Sequence, residues 1–148
     1  MASREETARA AWRSMSQLFV SGETHDGFHA ATEAIGLPHP GSLKALIALD
    51  AAAAPSMREM ADGMRCDASY ITALVDALED LGYVERRVSP TDRRVKLVQL
   101  TEAGAEAKET ALAVMLTPPK GFDALSTAEL RTLASLMAKV AVAYPPLA

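Results

Sequence analysis

Between Ser56 and Leu81 two helical patterns stand back to back, with only Arg65 and Cys66 between the end of the first and the cap of the second. A turn that short forces the second helix across the first, which narrows the available folds more than any other feature of the chain. The first helix opens after Pro55, where Ser56 and Glu59 have capping-box spacing, and runs to about Met64. Asp67 is a good N-cap for the second, Ala68 to Leu81, in which Ile71, Leu74, Val75, Leu78 and Leu81 recur at three and four residues as a buried face requires. Gly82 is the expected stop. The pair has the outline of a helix-turn-helix.

After Gly82 the period changes. Tyr83–Val88 and Val95–Leu100 are rich in β-branched residues and arginine, and Pro90 and Asp92 mark a turn between them. This predicts a two-stranded hairpin with a charged tip, although Leu97 and Val98 break the alternation. A hairpin directly after the second helix makes a winged helix.

The flanks are helical too. Arg4 to about Val20 places Ala8, Trp12, Met15 and Phe19 on one face, with Ser3 and Glu6 as a capping box. Ser21 to Gly41 is interrupted by five glycines and prolines before Gly41 itself, which predicts at most a short helix near Gly27–Ile35. Ser42 to about Ala53 reads as a compact helix with Leu43, Leu46, Ile47 and Leu49 inward, and the Ala51–Ala54 run before Pro55 reads as its end. Thr101 caps a helix to about Leu116, ended by Thr117-Pro118-Pro119. Ser126 and Glu129 open a last helix to about Ala143, with Leu130, Leu133, Met137, Val140 and Tyr144 as its apolar stripe and Pro145-Pro146 as its stop. The expected fold class is therefore mostly α with a small β-hairpin wing, in a single domain of 148 residues. Residues 42–100 form the winged helix-turn-helix, and residues 1–41 and 101–148 supply the flanking helices.

Charge separates the function classes. The chain carries a net −4, which taken alone argues against a nucleic-acid binder. Yet Tyr83–Leu100 holds Arg86, Arg87, Arg93, Arg94 and Lys96 against Glu85 and Asp92, leaving ten basic and seventeen acidic side chains elsewhere. Local sign governs anion binding more than the mean does. A basic wing after a helix-turn-helix on an otherwise acidic chain points to double-stranded DNA. Ser69, Tyr70 and Thr72, with Ala73, lie off the core stripe at the N-terminal end of the second helix. There they could meet base edges in a major groove while the helix N-terminus offers N–H groups to phosphate. Arg86, Arg87, Arg93 and Arg94 could reach phosphates or a narrow minor groove, with Asp92 orienting an arginine. Asp76 and Asp80 would repel phosphate further along.

The stretch DRRVKLVQLTEAG resembles the wing signature of the MarR family of bacterial transcriptional regulators, with Asp92, Arg94, Leu100, Thr101 and Gly104 at its positions. Weaker similarity extends to LKALIALD and LSTAEL. The resemblance implies a homodimer whose N- and C-terminal helices interlock, two winged helices on a palindromic operator, and Arg94 as the minor-groove arginine with Asp92 as its partner. A repressor is the implied role. Family members commonly carry a basic residue in the middle of the recognition helix, where this chain has Ala77. The resemblance also implies a small aromatic or phenolic effector between the dimerisation helices and the winged helix, with Trp12, Met15, His29 and His39 as candidate lining residues. Dimerisation has a second argument, because Trp12, Phe19, Val140 and Tyr144 extend beyond what a two-layer winged helix can cover.

Other chemistry finds little support. His25 and His29 have i, i+4 spacing, but only Asp26 accompanies them, so no metal site is expected. The single cysteine, Cys66, follows Arg65 in the turn, where a small buried residue is the ordinary occupant. The redox-sensing cysteine of some relatives lies near the N-terminus, and Cys66 does not match it. No phosphate-binding glycine loop and no nucleophile arrangement suggests an enzyme. No apolar run approaches a membrane span and the start of the chain lacks a signal-peptide core, so a cytoplasmic protein is expected. The rival reading is a winged helix used for protein contact, which would need no basic wing.

Overall fold

A computed structural model describes residues 1–144. Seven α-helices and one β-hairpin are found among them: α1 (Arg4–Val20), α2 (Gly22–Ala34), α3 (Pro40–Ala48), α4 (Met57–Met64), α5 (Ala68–Asp80), β1 (Val84–Val88), β2 (Lys96–Leu100), α6 (Glu102–Met115) and α7 (Thr127–Ala141), with a 3-10 helix at Lys120–Ala124 before α7. All three capping boxes form, at Ser3–Glu6, Ser56–Glu59 and Ser126–Glu129. Each pairs a serine oxygen with an amide N–H and a glutamate oxygen with the serine N–H, satisfying two otherwise orphaned donors. The Pro145-Pro146 stop lies outside the described residues.

Two expectations about the N-terminal half need correction. The helix expected near Gly27–Ile35 begins five residues earlier, at Gly22. Gly22 is the first helical residue, where glycine costs least, and Gly27 lies where α2 runs along α6, with Met115 O 3.9 Å from the site a Cβ would take. Packing along that face outweighs the ~1 kcal/mol propensity cost of glycine. The helix expected over Ser42 to Ala53 instead spans Pro40–Ala48. Pro40 is at the first helical position, which tolerates it. The far end is set by Asp50, whose Oδ1 accepts from Ala52 N at 2.9 Å and whose carbonyl accepts from Ala53 N at 3.2 Å. That local turn competes with helix, so Ala51–Ala54 form a loop.

The core joins α3, α5, the hairpin and α6. Leu43, Leu46, Leu49, Ile71, Leu74, Val75, Leu78, Val84 and Val98 are all nearly inaccessible to solvent. Leu81 is not among them: it lies just past the last turn of α5 and is 41% exposed. The hairpin is antiparallel, in register from Val84 opposite Leu100 to Val88 opposite Lys96. A third short segment joins it, because Ser56 bridges Leu97 and Val98 N donates to Pro55 O at 2.8 Å. That pairing explains the broken alternation: Leu97 carries the bridge and Val98 enters the core.

Two long-range hydrogen bonds tie the flanking helices to this unit. Tyr83 Oη donates to Ile35 O at 2.7 Å, and the buried Lys108 Nζ donates to Leu49 O, at the end of α3, at 2.6 Å. By contrast α1 and α7 bury no residue fully. Trp12, Phe19, Val140 and Tyr144 all stand more than half exposed. Among the described residues no helix is long and apolar enough to cross a membrane.

Candidate nucleic-acid interface

The turn between α4 and α5 carries the interface's first element. Asp67 caps α5, its Oδ1 accepting from Tyr70 N at 2.8 Å and from Ser69 Oγ at 2.6 Å. The Ser69 hydroxyl, with the Tyr70 amide behind it, holds the Asp67 carboxyl below the usual carboxylate range. An ionised carboxylate therefore occupies this helix end and takes the Tyr70 N–H that would otherwise face an approaching phosphate. Thr72 Oγ1 donates back to Ala68 O at 2.7 Å. Ser69 and Thr72 thus keep acceptor lone pairs for a base edge while their protons are used internally. Tyr70 is about half exposed and lies against α3: a Cβ at Gly41 would collide with its hydroxyl and come within 3.0 Å of Leu74 Cδ2. Only glycine at 41 permits that approach.

The hairpin supplies the cations. Its tip closes through Ser89 N to Val95 O at 2.9 Å and Val95 N to Asp92 O at 3.0 Å. Asp92 Oδ1 then accepts from the backbone N–H of Arg94 at 3.0 Å and from its Nε at 3.2 Å. The Arg94 amide first, and its guanidinium second, keep the Asp92 carboxyl below its ordinary range. Arg94 nevertheless stays 91% exposed, so it is oriented without being covered. Arg93 and Lys96 are exposed beside it, and Arg87 is exposed with Glu85 as its ion-pair partner.

Arg86 is placed differently from the other arginines. Its side chain is only 21% exposed and folds onto α5, donating to Asp76 Oδ1 at 2.6 Å and to the Glu79 carboxylate. Its own backbone N–H donates to Glu79 Oε1 at 3.0 Å. Burial works against its charge, and the two carboxylates more than restore it. The expectation of Arg86 as a free wing cation is corrected: it fastens the first strand to the second helix. Sequence alone could not show this, since Arg86 is ten residues from Asp76 and on a different element.

With this geometry in view, residues 40–96 match the family model for the MarR family. Over that stretch the winged helix is similar to those of the MarR family. The HTH-type transcriptional regulator YcgE of Bacillus subtilis (strain 168) is 39% identical over 84 residues, covering 55% of this chain and 54% of that protein. The chain spans about half the length of the curated relatives it matches. Among solved structures, the YusO protein from Bacillus subtilis is 26% identical with a TM-score of 0.67, covering 97% of this chain and all of that one. Wild type MarR from E. coli, in its apo form, has a TM-score of 0.69 at 24% identity, covering 86% of this chain and 94% of that one, and so shares the fold.

The MarR-type L-T-x-x-G ending has a plain physical basis here. Thr101 Oγ1 donates to Gly82 O at 2.6 Å and accepts from Gly104 N at 3.0 Å, while Thr101 N donates to Tyr83 O at 3.1 Å. One threonine thereby caps α6 and pins it to the junction of α5 and β1, where Gly82 has φ +75°. Gly104 packs directly on the Tyr83 carbonyl, leaving no room for a Cβ.

The remaining candidates do not converge. Of Trp12, Met15, His29 and His39, Met15 lines an apolar cavity. That cavity is an apolar groove of about 510 Å³ between α1, the 3-10 helix and α7, also lined by Phe19, Phe122, Leu133 and Met137. Trp12 and His29 face solvent, and His39 is the exposed residue preceding α3, so the expected four-residue pocket does not form within one chain. His25 and His29 meet at 2.9 Å between Nε2 atoms. Among the described residues no third His, Cys, Asp or Glu completes a metal-binding group. Cys66 is half-buried against the core.

Proposed function

We propose that this chain is a sequence-specific DNA-binding transcriptional regulator, acting as a homodimeric repressor in the cytoplasm. The observation that carries this reading is Arg94: an arginine almost fully exposed at a wing tip, yet held in one orientation by Asp92. An oriented guanidinium without a cover is suited to a narrow minor groove, where potential is most negative. Arg87, Arg93 and Lys96 would meet phosphates around it, and Ser69, Tyr70 and Thr72 would face base edges from α5 in the major groove.

A second copy of the chain is the proposed cover for α1 and α7. Trp12, Phe19, Val20, Leu136 and Val140 all stand exposed on α1 and α7, more large apolar side chains than an isolated soluble chain ordinarily leaves open, and the apolar groove beside Met15 offers a place for the partner's helix. Two winged helices would then read half-sites about 10 bp apart. The family resemblance adds a small aromatic or phenolic effector that would release DNA. No catalytic step is assigned to the chain.

The test is fluorescence anisotropy on duplex DNA from upstream of its own coding sequence, over a salt series, with Arg94→Ala alongside. Preference over a scrambled duplex, a steep salt dependence and a slope shallower by about 0.9 per subunit in Arg94→Ala are expected. No binding to either duplex at low salt would transfer the function to a protein partner.

A further inference from the structure

Among the described residues, the one non-glycine residue with positive φ is Arg65, at 53°, in the turn between α4 and α5. The turn demands that backbone. Arg65 N–H donates to Asp62 O at 3.2 Å and Cys66 N–H reaches back to Ala61 O at 3.0 Å, the pattern of a left-handed helix terminus. Glycine is the usual occupant of such a position because a Cβ there crowds the neighbouring carbonyl. An arginine in its place gives up stability, and retained strain of this kind points toward function.

The surrounding charge supplies the reason. α5 contains no Lys or Arg, yet it bears Asp76, Glu79 and Asp80 and is capped by the ionised Asp67. Asp76 and Glu79 are paired with Arg86, but Asp67 stands at the very end that would lead into a groove. On α4 the one other cation, Arg58, lies 3.9 Å from Asp62. Arg65 is exposed, sits two residues before Asp67, and forms no ion pair among the described residues. A phosphate backbone approaching the head of α5 would meet this cation beside the cap carboxylate.

We propose that Arg65 binds a backbone phosphate of duplex DNA at the entrance of α5 to the major groove, and that its left-handed backbone is tolerated for that contact. The proposal rests on the DNA-binding reading above. It adds to the wing a second, sequence-independent anchor, at the N-terminal end of the recognition helix.

Arg65→Gly separates the two roles because they change in opposite directions. Glycine relieves the backbone, so the melting temperature rises by roughly 2–6 °C. The lost cation weakens binding several-fold, equally on the upstream duplex and on a scrambled one, and makes the slope of log K against log salt shallower by about 0.9 for each of the two subunits. Arg65→Lys keeps the charge and the strain, and is expected to retain both the parent slope and the parent melting temperature. If the parent binds and Arg65→Gly keeps its slope, or if its melting temperature does not rise, the Arg65 proposal is overturned while the DNA reading stands. A parent that binds neither duplex at low salt overturns both.

Discussion

Gly104→Ala adds one methyl group where α6 meets the Tyr83 carbonyl. The new Cβ would overlap the Tyr83 oxygen and lie 2.8 Å from its carbonyl carbon and 2.9 Å from Leu100 Cδ1. Those neighbours are backbone and core, so neither can swing aside as a surface side chain would. Relieving the overlap moves the Tyr83 carbonyl away from the Thr101 N–H that it accepts, a loss of about 1 kcal/mol. Overpacking adds about 1–3 kcal/mol, and the better helix propensity of alanine returns about 1 kcal/mol. The net expectation is a destabilisation of about 1–3 kcal/mol, read in differential scanning calorimetry as a fall of roughly 3–10 °C in melting temperature. Gly63→Ala is the matched control. Gly63 lies in the last turn of α4 with nothing within 4 Å of its would-be Cβ, so the same substitution should raise the melting temperature by roughly 2–4 °C. If Gly104→Ala melts at or above the parent, the close approach of α6 to the wing base is wrong.

Arg86→Met leaves Asp76 and Glu79 without their shared partner and should cost about 2 kcal/mol of stability, while the salt slope of DNA binding stays that of the parent. A shallower slope would return Arg86 to the DNA surface. The three cap glutamates, Glu6, Glu59 and Glu129, are held below the ordinary range chiefly by their serine partners. Their contribution is therefore present above the unfolded value of about 4.3 and lost as pH falls through the lower folded values. Melting temperature should decline over that acid window, and less steeply in Ser56→Ala with Ser126→Ala; an unchanged acid slope in that variant would dismiss the caps as its source. For Cys66, half-buried in the turn, peroxide should leave DNA binding unchanged in parent and Cys66→Ser alike, and peroxide-induced release in the parent alone would make it a redox sensor.

What could be read from the chain was what neighbouring residues decide between themselves. Ser56 and Glu59 are one turn apart, so their reciprocal hydrogen bonds need nothing beyond the helix they start, and the same holds for Ser3–Glu6 and Ser126–Glu129. Asp92 and Arg94 are two residues apart, and the turn that joins them is equally local. The apolar spacing of Ile71, Leu74, Val75 and Leu78 sufficed to give α5 its buried face. The helix limits were less legible wherever packing outweighs propensity, as for α2 along α6, or where one side chain closes a turn, as Asp50 does.

The interface itself divides along the same line. Five cations in the wing are plain in the sequence, but which of them remain free is a tertiary matter. Arg86 is lost to α5 because the strand crosses Asp76 and Glu79, whose two carboxylates more than offset the cost of burying its charge at this contact. Tyr70 turns toward α3 because Gly41 leaves it room, and Gly104 is required because Tyr83 lies against it across the fold. Local hydrogen bonding and periodicity set which elements form. Contacts between residues distant along the chain set how those elements meet, and so which charges are left to face a partner.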